Sequence, residues 1–292
     1  MRKLIINADD FGLTPGVNRG IAECCIQGVV TSTTLMANAP GFADAVESLE
    51  AAAENTRPGI GCHVVLVDGV PLLPPERVST LVANGAGQFR SSLLDFARAA
   101  MRGRISPDEI AAEATAQMRK ALDAGLRLSH FDTHKHVHLF PAVLKPLLRA
   151  ARACGVRAVR NPFAPIKPLA FAHLLRRPRL WKRYSEVKLL RGWAESFRRA
   201  VESAGMVTTD GTFGIVSTGA LDLPLFRAIV GCVPEGTWEF CCHPGYNDAE
   251  LDSVRTRLRQ SRDRERAVLT SAAAREILAQ HGIELITYWD LQ

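Results

Sequence analysis

The sequence predicts an α/β fold built on a mostly parallel sheet that is closed or nearly closed into a barrel; an open, doubly wound sheet also satisfies the pattern. Three observations carry this. Short apolar runs alternate with helical patterns along the whole chain, in roughly seven strand–helix units. The helical patterns carry proper start and stop signals. The expected C-terminal strand ends hold Asp9-Asp10, His63, His134 to His138, Arg160 and His243, where a parallel barrel keeps its functional residues.

In order, Lys3 to Asn7 reads as a buried first strand running into Asp9-Asp10-Phe11-Gly12. Thr14-Pro15 supplies an N-cap and a proline at the first helical position, and Gly28 a left-handed stop. Thr33 to Asn38 is the second strand, Phe42 to Asn55 the second helix and Gly59 to Val65 the third strand. Asp68 to Gly103, with Pro71, Pro74 and Pro75, reads as a long functional loop holding a short helical piece. Ser106-Pro107-Asp108-Glu109 is a capping box opening a helix to about Asp123, closed by Gly125. Leu128 to Thr133 is the fourth strand, followed by a helix over Ala142 to Cys154 and a strand over Arg157 to Arg160. Later strands are expected at Gly214 to Ser217, Trp238 to Cys242 and Glu284 to Tyr288, with helices at Leu223 to Val230 and Ser271 to Gln280.

Composition bounds the rest. A chain of 292 residues, 47% hydrophobic and 23% charged, is an ordinary globular protein, without the roughly 18 successive apolar residues that a membrane span needs. The N-terminus turns acidic too early for a secretory signal, so a cytoplasmic location is expected. The seven cysteines include no C-x-x-C, which argues against a zinc ribbon or thioredoxin-type site. The net charge of +6 is concentrated between Arg176 and Arg199, which holds nine basic residues against Glu186 and Glu195.

The chemistry gathers around Ser129 to Pro141, where His130, His134, His136 and His138 surround Asp132. Imidazole binds borderline metals and moves protons near neutral pH. His134 and His138 face the same way on a helical turn, whereas His136 and His138 share a face on a strand. Neighbouring carboxylates at a strand end point different ways, so one of Asp9 and Asp10 can ligate a metal while the other faces the nucleophile. A catalytic zinc site takes three protein ligands and leaves a place for water. Asp10, His63 and His134 fit that count, with His138 as a second candidate. Metal-assisted hydrolysis then follows, with Asp9 as the base, His243 as the acid protonating a departing amine, and Arg160 holding a catalytic carboxylate ionised. The ligands suit zinc, and magnesium or manganese also fits. His173 and His281 read as surface residues.

Asn-Ala-Asp-Asp-Phe-Gly-Leu, Val-Thr-Ser-Thr-Thr-Leu-Met-Ala-Asn, Gly-Cys-His-Val-Val-Leu, Asp-Thr-His-Lys-His-Val-His-Leu-Phe-Pro and Cys-His-Pro-Gly, in this order, resemble the YdjC-like carbohydrate deacetylases, which include chito-oligosaccharide deacetylase. The resemblance spans most of the chain. It implies a deformed (β/α) TIM-like barrel over residues 1–292, removal of acetyl from an N-acetylated sugar, a divalent metal on Asp10, His63 and His134, and Asp9 as base. Cys62 and Lys135 depart from the family pattern beside two of those ligands, which touches substrate fit. Leu66-Val67-Asp68-Gly69-Val70-Pro71-Leu72-Leu73-Pro74-Pro75 and the basic insert at about 165–205 resemble the hopanoid-biosynthesis-associated branch. That implies an N-acetylglucosaminyl bacteriohopanetetrol substrate.

Within the insert, Leu174, Leu175, Leu180, Trp181, Tyr184, Val187, Leu189, Leu190, Trp193 and Phe197 lie between the basic residues. Such interleaving suits a segment lying on an anionic membrane, here residues 174–199 against the inner membrane, or a solvated helix packed on the barrel. No nucleic-acid recognition fold accompanies the charge. The rival readings are a soluble chito-oligosaccharide deacetylase, a non-catalytic barrel that binds carbohydrate or a membrane surface, and a metallo-phosphoesterase or amidohydrolase barrel, which usually places His-x-His at the first strand. A two-carboxylate glycosidase is disfavoured because its acids must flank the sugar, about 5 Å or more apart.

Overall fold

The computed structural model describes residues 1–53, 57–83, 87–175 and 177–292. Strand β1 (Arg2–Phe11) leads into helix α1 (Pro15–Ile26), then β2 (Ser32–Leu35), α2 (Phe42–Ala51) and β3 (Gly59–Val64). The long connection holds a 3₁₀ turn at Pro75–Val78 and helix α3 (Leu93–Met101), and α4 (Pro107–Asp123) follows. Then come β4 (His130–Thr133), α5 (Pro141–Ala153) and β5 (Ala158–Val159). The basic segment folds as α6 (Phe171–Leu175), α7 (Trp181–Leu190) and α8 (Ala194–Ser203). The chain continues with β6 (Val207–Thr208), β7 (Gly211–Phe213), α9 (Leu223–Val230), β8 (Gly236–Cys242), α10 (Ala249–Asp252), α11 (Gln260–Leu269), α12 (Ala272–Gln280) and β9 (Ile283–Leu285).

The strands pair in the order β6-β5-β4-β3-β2-β1-β8-β7, and β9 lies against the first half of β1. Every strand pair among the described residues is parallel. The two ends of this order are consecutive in sequence, and the Thr212 amide donates to the Phe163 carbonyl across the remaining gap at 3.0 Å. The eight strands therefore form a nearly closed barrel ringed by helices, the barrel rather than the open alternative. Among the described residues no helix is long and apolar enough to cross a membrane.

Side chains alternate across β1 as a strand requires. Leu4, Ile6 and Ala8 join the large apolar core beneath the helices. Ile5 points into the barrel, against Ala158, Ile286 and Tyr288. Above that small apolar plug the barrel is polar, because Asn7, Asp9, His63, Asp132, Arg160 and Glu239 all reach into it and are buried. Such a layer is stable only when its charges are paired.

Most boundaries fall within a few residues of expectation, and α4 and α9 match theirs fully. The differences are instructive. Strand β1 runs four residues further, through both aspartates, where Asp10 takes a left-handed φ of 70°. Gly28 is not a left-handed stop. It is needed for close approach, since a Cβ there would lie 2.4 Å from the Cys24 carbonyl oxygen and 2.5 Å from that of Leu269. The second helix stops at Ala51, and Asn55 lies outside the described residues. Only half of the capping box forms: Ser106 Oγ accepts from the Glu109 amide, while the Glu109 carboxylate turns to the amide and hydroxyl of Thr80, each at 2.7 Å. Gly214 to Ser217 is a turn; the strand precedes it at Gly211–Phe213.

The basic segment is less free than its composition suggests. Arg177 pairs with Asp222 at 2.7 Å, Arg198 donates to the Asp210 carbonyl, and Arg183 and Arg191 donate to the carbonyls of Thr218 and Ala164. These four arginines fasten the insert to the barrel loops. Arg179, Lys182, Lys188 and Arg199 remain exposed, and Arg176 lies outside the described residues.

Candidate active site

The residues expected at the strand ends meet at one mouth of the barrel. Register explains part of this. His63 on β3 pairs with Asp132 on β4, so both side chains leave the sheet on the same side. The Asp132 Oδ1 accepts from His63 Nδ1 at 2.7 Å. That bond fixes the orientation of the ring and turns His63 Nε2 to within 3.6 Å of Asp10 Oδ1. Burial opposes charge on this ring, but Asp132, with Asp9 and Asp10 behind it, raises its pKa to about 9.

Asp10 is brought to the centre by the left-handed step that interrupts β1 between Ala8 and Phe11. Its Oδ2 accepts from Arg262 Nη2 at 2.6 Å, and its Oδ1 faces His63 and, at 3.5 Å, His134 Nδ1. That Oδ1 is buried and accepts no hydrogen bond. Despite burial, Arg262 and His134 hold the Asp10 carboxyl well below the usual carboxylate range. Asp10, His63 and His134 offer three donor atoms within 4.8 Å of one another. A buried, ionised oxygen without a donor, facing two imidazole nitrogens, is the donor set that a divalent ion takes. The residues fit such an ion. His134 is partly exposed, so the set opens to solvent.

Asp9, one residue earlier, points the other way. Arg160 grips it with two bonds, Nη1 to Oδ2 at 2.8 Å and Nη2 to Oδ1 at 2.6 Å. The same guanidinium meets Asp132 through Nη1 and Glu239 through Nε and Nη2. Burial alone would raise the pKa of Asp9; the Arg160 charge and bonds reverse this and hold the carboxyl far below its usual range. Asp9, His63 and Asp132 also stand within 4.8 Å of one another, but Arg160 already supplies the cation there. Glu239 is closed from below by Thr212 at 3.3 Å and by the Tyr288 hydroxyl.

His243 follows β8, and its Nε2 lies 3.8 Å from Asp9 Oδ2. The ring is less exposed than a turn position suggests, with 12% of the side chain accessible. Its backbone amide donates to Glu265 at 2.6 Å, and Glu265 also accepts from the Gly219 amide.

The histidine stretch splits. Lys135 and His136 both adopt left-handed φ, 58° and 53°, at about 1–2 kcal/mol each for residues with a Cβ. This double step destroys the helical i, i+4 facing, so His138 does not join His134. His138 is buried against Phe197, with Nδ1 bonded to Thr133 Oγ1 at 2.6 Å. His138 is therefore outside the donor set. His130 stacks on Tyr288 with ring centroids 3.7 Å apart. That contact requires Gly61, where a Cβ would lie 2.4 Å from the His130 ring.

Four polar residues of the site carried no assigned role in the sequence reading: Asp132, Glu239, Arg262 and Glu265. Glu239 had a signal, as the lone charge within the apolar run Trp238-Glu-Phe-Cys-Cys242. Arg262 and Glu265 had none. Helix α11 is so rich in charge that it reads as a solvated surface, yet both are buried.

Comparison with known proteins gives the chain its relatives. A family model described as YdjC-like protein matches residues 3–280. The chain is similar to a protein of Brevibacillus brevis named carbohydrate deacetylase, with 32% identity covering 99% of each chain. A carbohydrate deacetylase of Geobacillus stearothermophilus is 33% identical, covering 98% of this chain and 97% of its own. The crystal structure of an Enterococcus faecalis protein, provisionally assigned to cellobiose-phosphate cleavage, superposes with a TM-score of 0.79 at 28% identity, covering 99% and 98% of the two chains.

Proposed function

The chain belongs to the YdjC-like protein family, and from that membership we propose that it is a divalent-metal-dependent carbohydrate N-deacetylase. It cleaves the acetamide of an N-acetylated amino sugar, giving acetate and a free amine. The observation that carries this reading is the unpartnered Asp10 Oδ1 facing His63 and His134, beside an aspartate clamped by arginine. Charge supports it. Asp9, Asp10, Asp132, Glu239 and Glu265 are five buried acids against the guanidinium groups of Arg160 and Arg262 and the His63 ring, a negative balance that suits a cation.

Asp10, His63 and His134 would hold the ion; bound there, it polarises the acetyl carbonyl and acidifies water. Acidified water matters because Arg160 makes Asp9 a weak base. Asp9 Oδ2 takes the water proton while the water oxygen forms the new C–O bond. His243 Nε2 gives a proton to the nitrogen as the C–N bond breaks, since an amine leaves poorly without one. Arg160 keeps Asp9 ionised and pointed, and Asp132 fixes the orientation of the His63 ring. Zinc suits the two imidazoles; magnesium and manganese are the alternatives.

For the substrate we propose an N-acetylglucosamine conjugate carried on a lipid, N-acetylglucosaminyl bacteriohopanetetrol, met by a cytoplasmic enzyme in peripheral contact with the inner membrane. Leu175, Trp181 and Leu189 are 53%, 50% and 83% exposed beside Lys182 and Lys188, a pairing suited to an anionic lipid surface. The insert reaches the site wall through Phe197 on His138 and Trp193 on Phe140. Acetate release, measured in parallel on this conjugate and on a soluble chito-oligosaccharide, tests both parts. Turnover of the oligosaccharide alone defeats the lipid assignment. No acetate from either, with metal shown to be bound, defeats the deacetylase.

A further inference from the structure

Among the described residues, four non-glycine positions have positive φ: Asp10, Asp68, Lys135 and His136. All four lie at the mouth of the site. Asp10 and the Lys135–His136 step flank the donor set directly. Asp68 is the outlier in sequence, on the connection after β3, yet its carboxylate meets Lys135 Nζ at 2.7 Å. Two strained backbone positions from different parts of the chain are thus joined side chain to side chain.

The two ends of this tie differ in their support. Asp68 is set in a firm support. Its amide donates to the Arg90 carbonyl at 3.0 Å, and the Gly69 carbonyl accepts from Phe89 at 2.9 Å. Asn38 donates to the Val70 carbonyl at 2.7 Å. The buried Glu113 of α4 accepts from the amides of Leu72 and Leu73. Lys135 instead sits in the costly left-handed double step, within the 3₁₀ turns of His134–Leu139. The step decides where the preceding residue, His134, directs its ring. Strain of this kind persists only where the surroundings over-determine it.

We propose that the Asp68–Lys135 ion pair is a positioning device that holds the left-handed turn and so keeps His134 on the donor set with Asp10 and His63. The inference rests on the metal-site reading above. The pair is only partly buried, with 18% and 28% of the two side chains exposed; it therefore acts through geometry and not through its own electrostatic energy. Partners that orient a metal ligand typically change metal affinity by 10- to 100-fold when removed, and the lower end suits a partly exposed pair. Lys135 Nζ also approaches the Ser91 carbonyl at 3.5 Å, so one ammonium links the ligand turn to the rim of the cleft.

The test is calorimetric titration of the ion-free full chain with Zn²⁺ alone, and separately with Mg²⁺. Asp68→Asn and Lys135→Gln are each expected to weaken binding about tenfold. The double variant should be no weaker than either single one, because the two residues act as a unit. Lys135→Arg should restore most of the affinity, since it keeps the charge and reach. Lys135→Gly removes the backbone cost but also the tie; it should raise the melting temperature while leaving ion affinity low. Affinities within twofold of the parent in Asp68→Asn and Lys135→Gln, with circular dichroism unchanged, overturn the proposal. Additive losses in the double variant also overturn it. If the parent binds no divalent ion, the metal site itself is refuted and the positioning role falls with it.

Discussion

Arg160 and Asp9 form a two-pronged ion pair, with both side chains at 2% exposure or less. Asp132 and Glu239 share the same guanidinium. Removing one partner of a buried pair costs about 3–5 kcal/mol, because it leaves charge without compensation. Arg160→Met leaves three acids without their cation, so its loss should lie at the upper end of that range or unfold the chain. Urea denaturation with a fluorescence readout measures it. A change below about 1 kcal/mol would mean that the cluster is far wetter than its burial indicates.

Asp9→Asn and His243→Asn should each lower kcat for acetate release by about 10²–10⁴-fold while leaving zinc affinity nearly unchanged. His63→Ala and His134→Ala should abolish ion binding together with turnover. Chelation of the parent should match the second pair and be reversed by added metal. Titration calorimetry beside an acetate assay separates the two classes of variant.

Acid should destabilise the fold before the carboxylates titrate. Burial, with Arg160 nearby, holds the pKa of His130 well below its ordinary value. The unfolded chain therefore takes up a proton below about pH 6.5 that the folded chain refuses. Stability is complete above that pH and falls by about 1.4 kcal/mol per pH unit for such a histidine below it. Burial holds His136 and His138 low in the same way, so His130→Phe, which keeps a ring on Tyr288, should reduce the dependence of the urea midpoint between pH 7 and 5 without abolishing it. An unchanged slope would place the titration elsewhere.

Gly20 tests how tightly the acid is seated. A Cβ at this position of α1 would lie 2.5 Å from the Gly245 Cα, which is backbone and cannot swing aside. Gly20→Ala should push the His243-Pro-Gly turn away from Asp9. The alanine favours the helix by about 1 kcal/mol, but backbone overlap outweighs that gain. Turnover should drop while zinc affinity holds. Wild-type kcat would show that the turn adapts without moving His243.

The readable parts of the molecule were those whose signal is local. The strand that carries Asp9-Asp10 near its end, the histidine near the end of β3 and the cap at Ser106 each announce themselves within ten residues. The roles of Glu265, Asp132 and Arg262 depend on partners 22, 69 and 252 residues away, and no period or cap encodes that. The basic insert misled in a second way. Composition counts its arginines as surface charge, whereas four of them are spent on barrel carbonyls and a carboxylate. That His134 and not His138 faces Asp10 depends on two left-handed residues that nothing in Lys135-His136 announces, since neither is glycine.

The opposite pointing of Asp9 and Asp10 on one strand sorts the catalytic labour by neighbourhood. In the proposed mechanism Asp10, with His63 and His134, serves the ion, while Asp9, gripped by Arg160 and 3.8 Å from His243, serves the protons. One strand then carries a carboxylate for each task. Because Arg262 holds Asp10, and Arg160 holds Asp132 and through it His63, changes late in the chain reach the ion's setting as well as the proton groups.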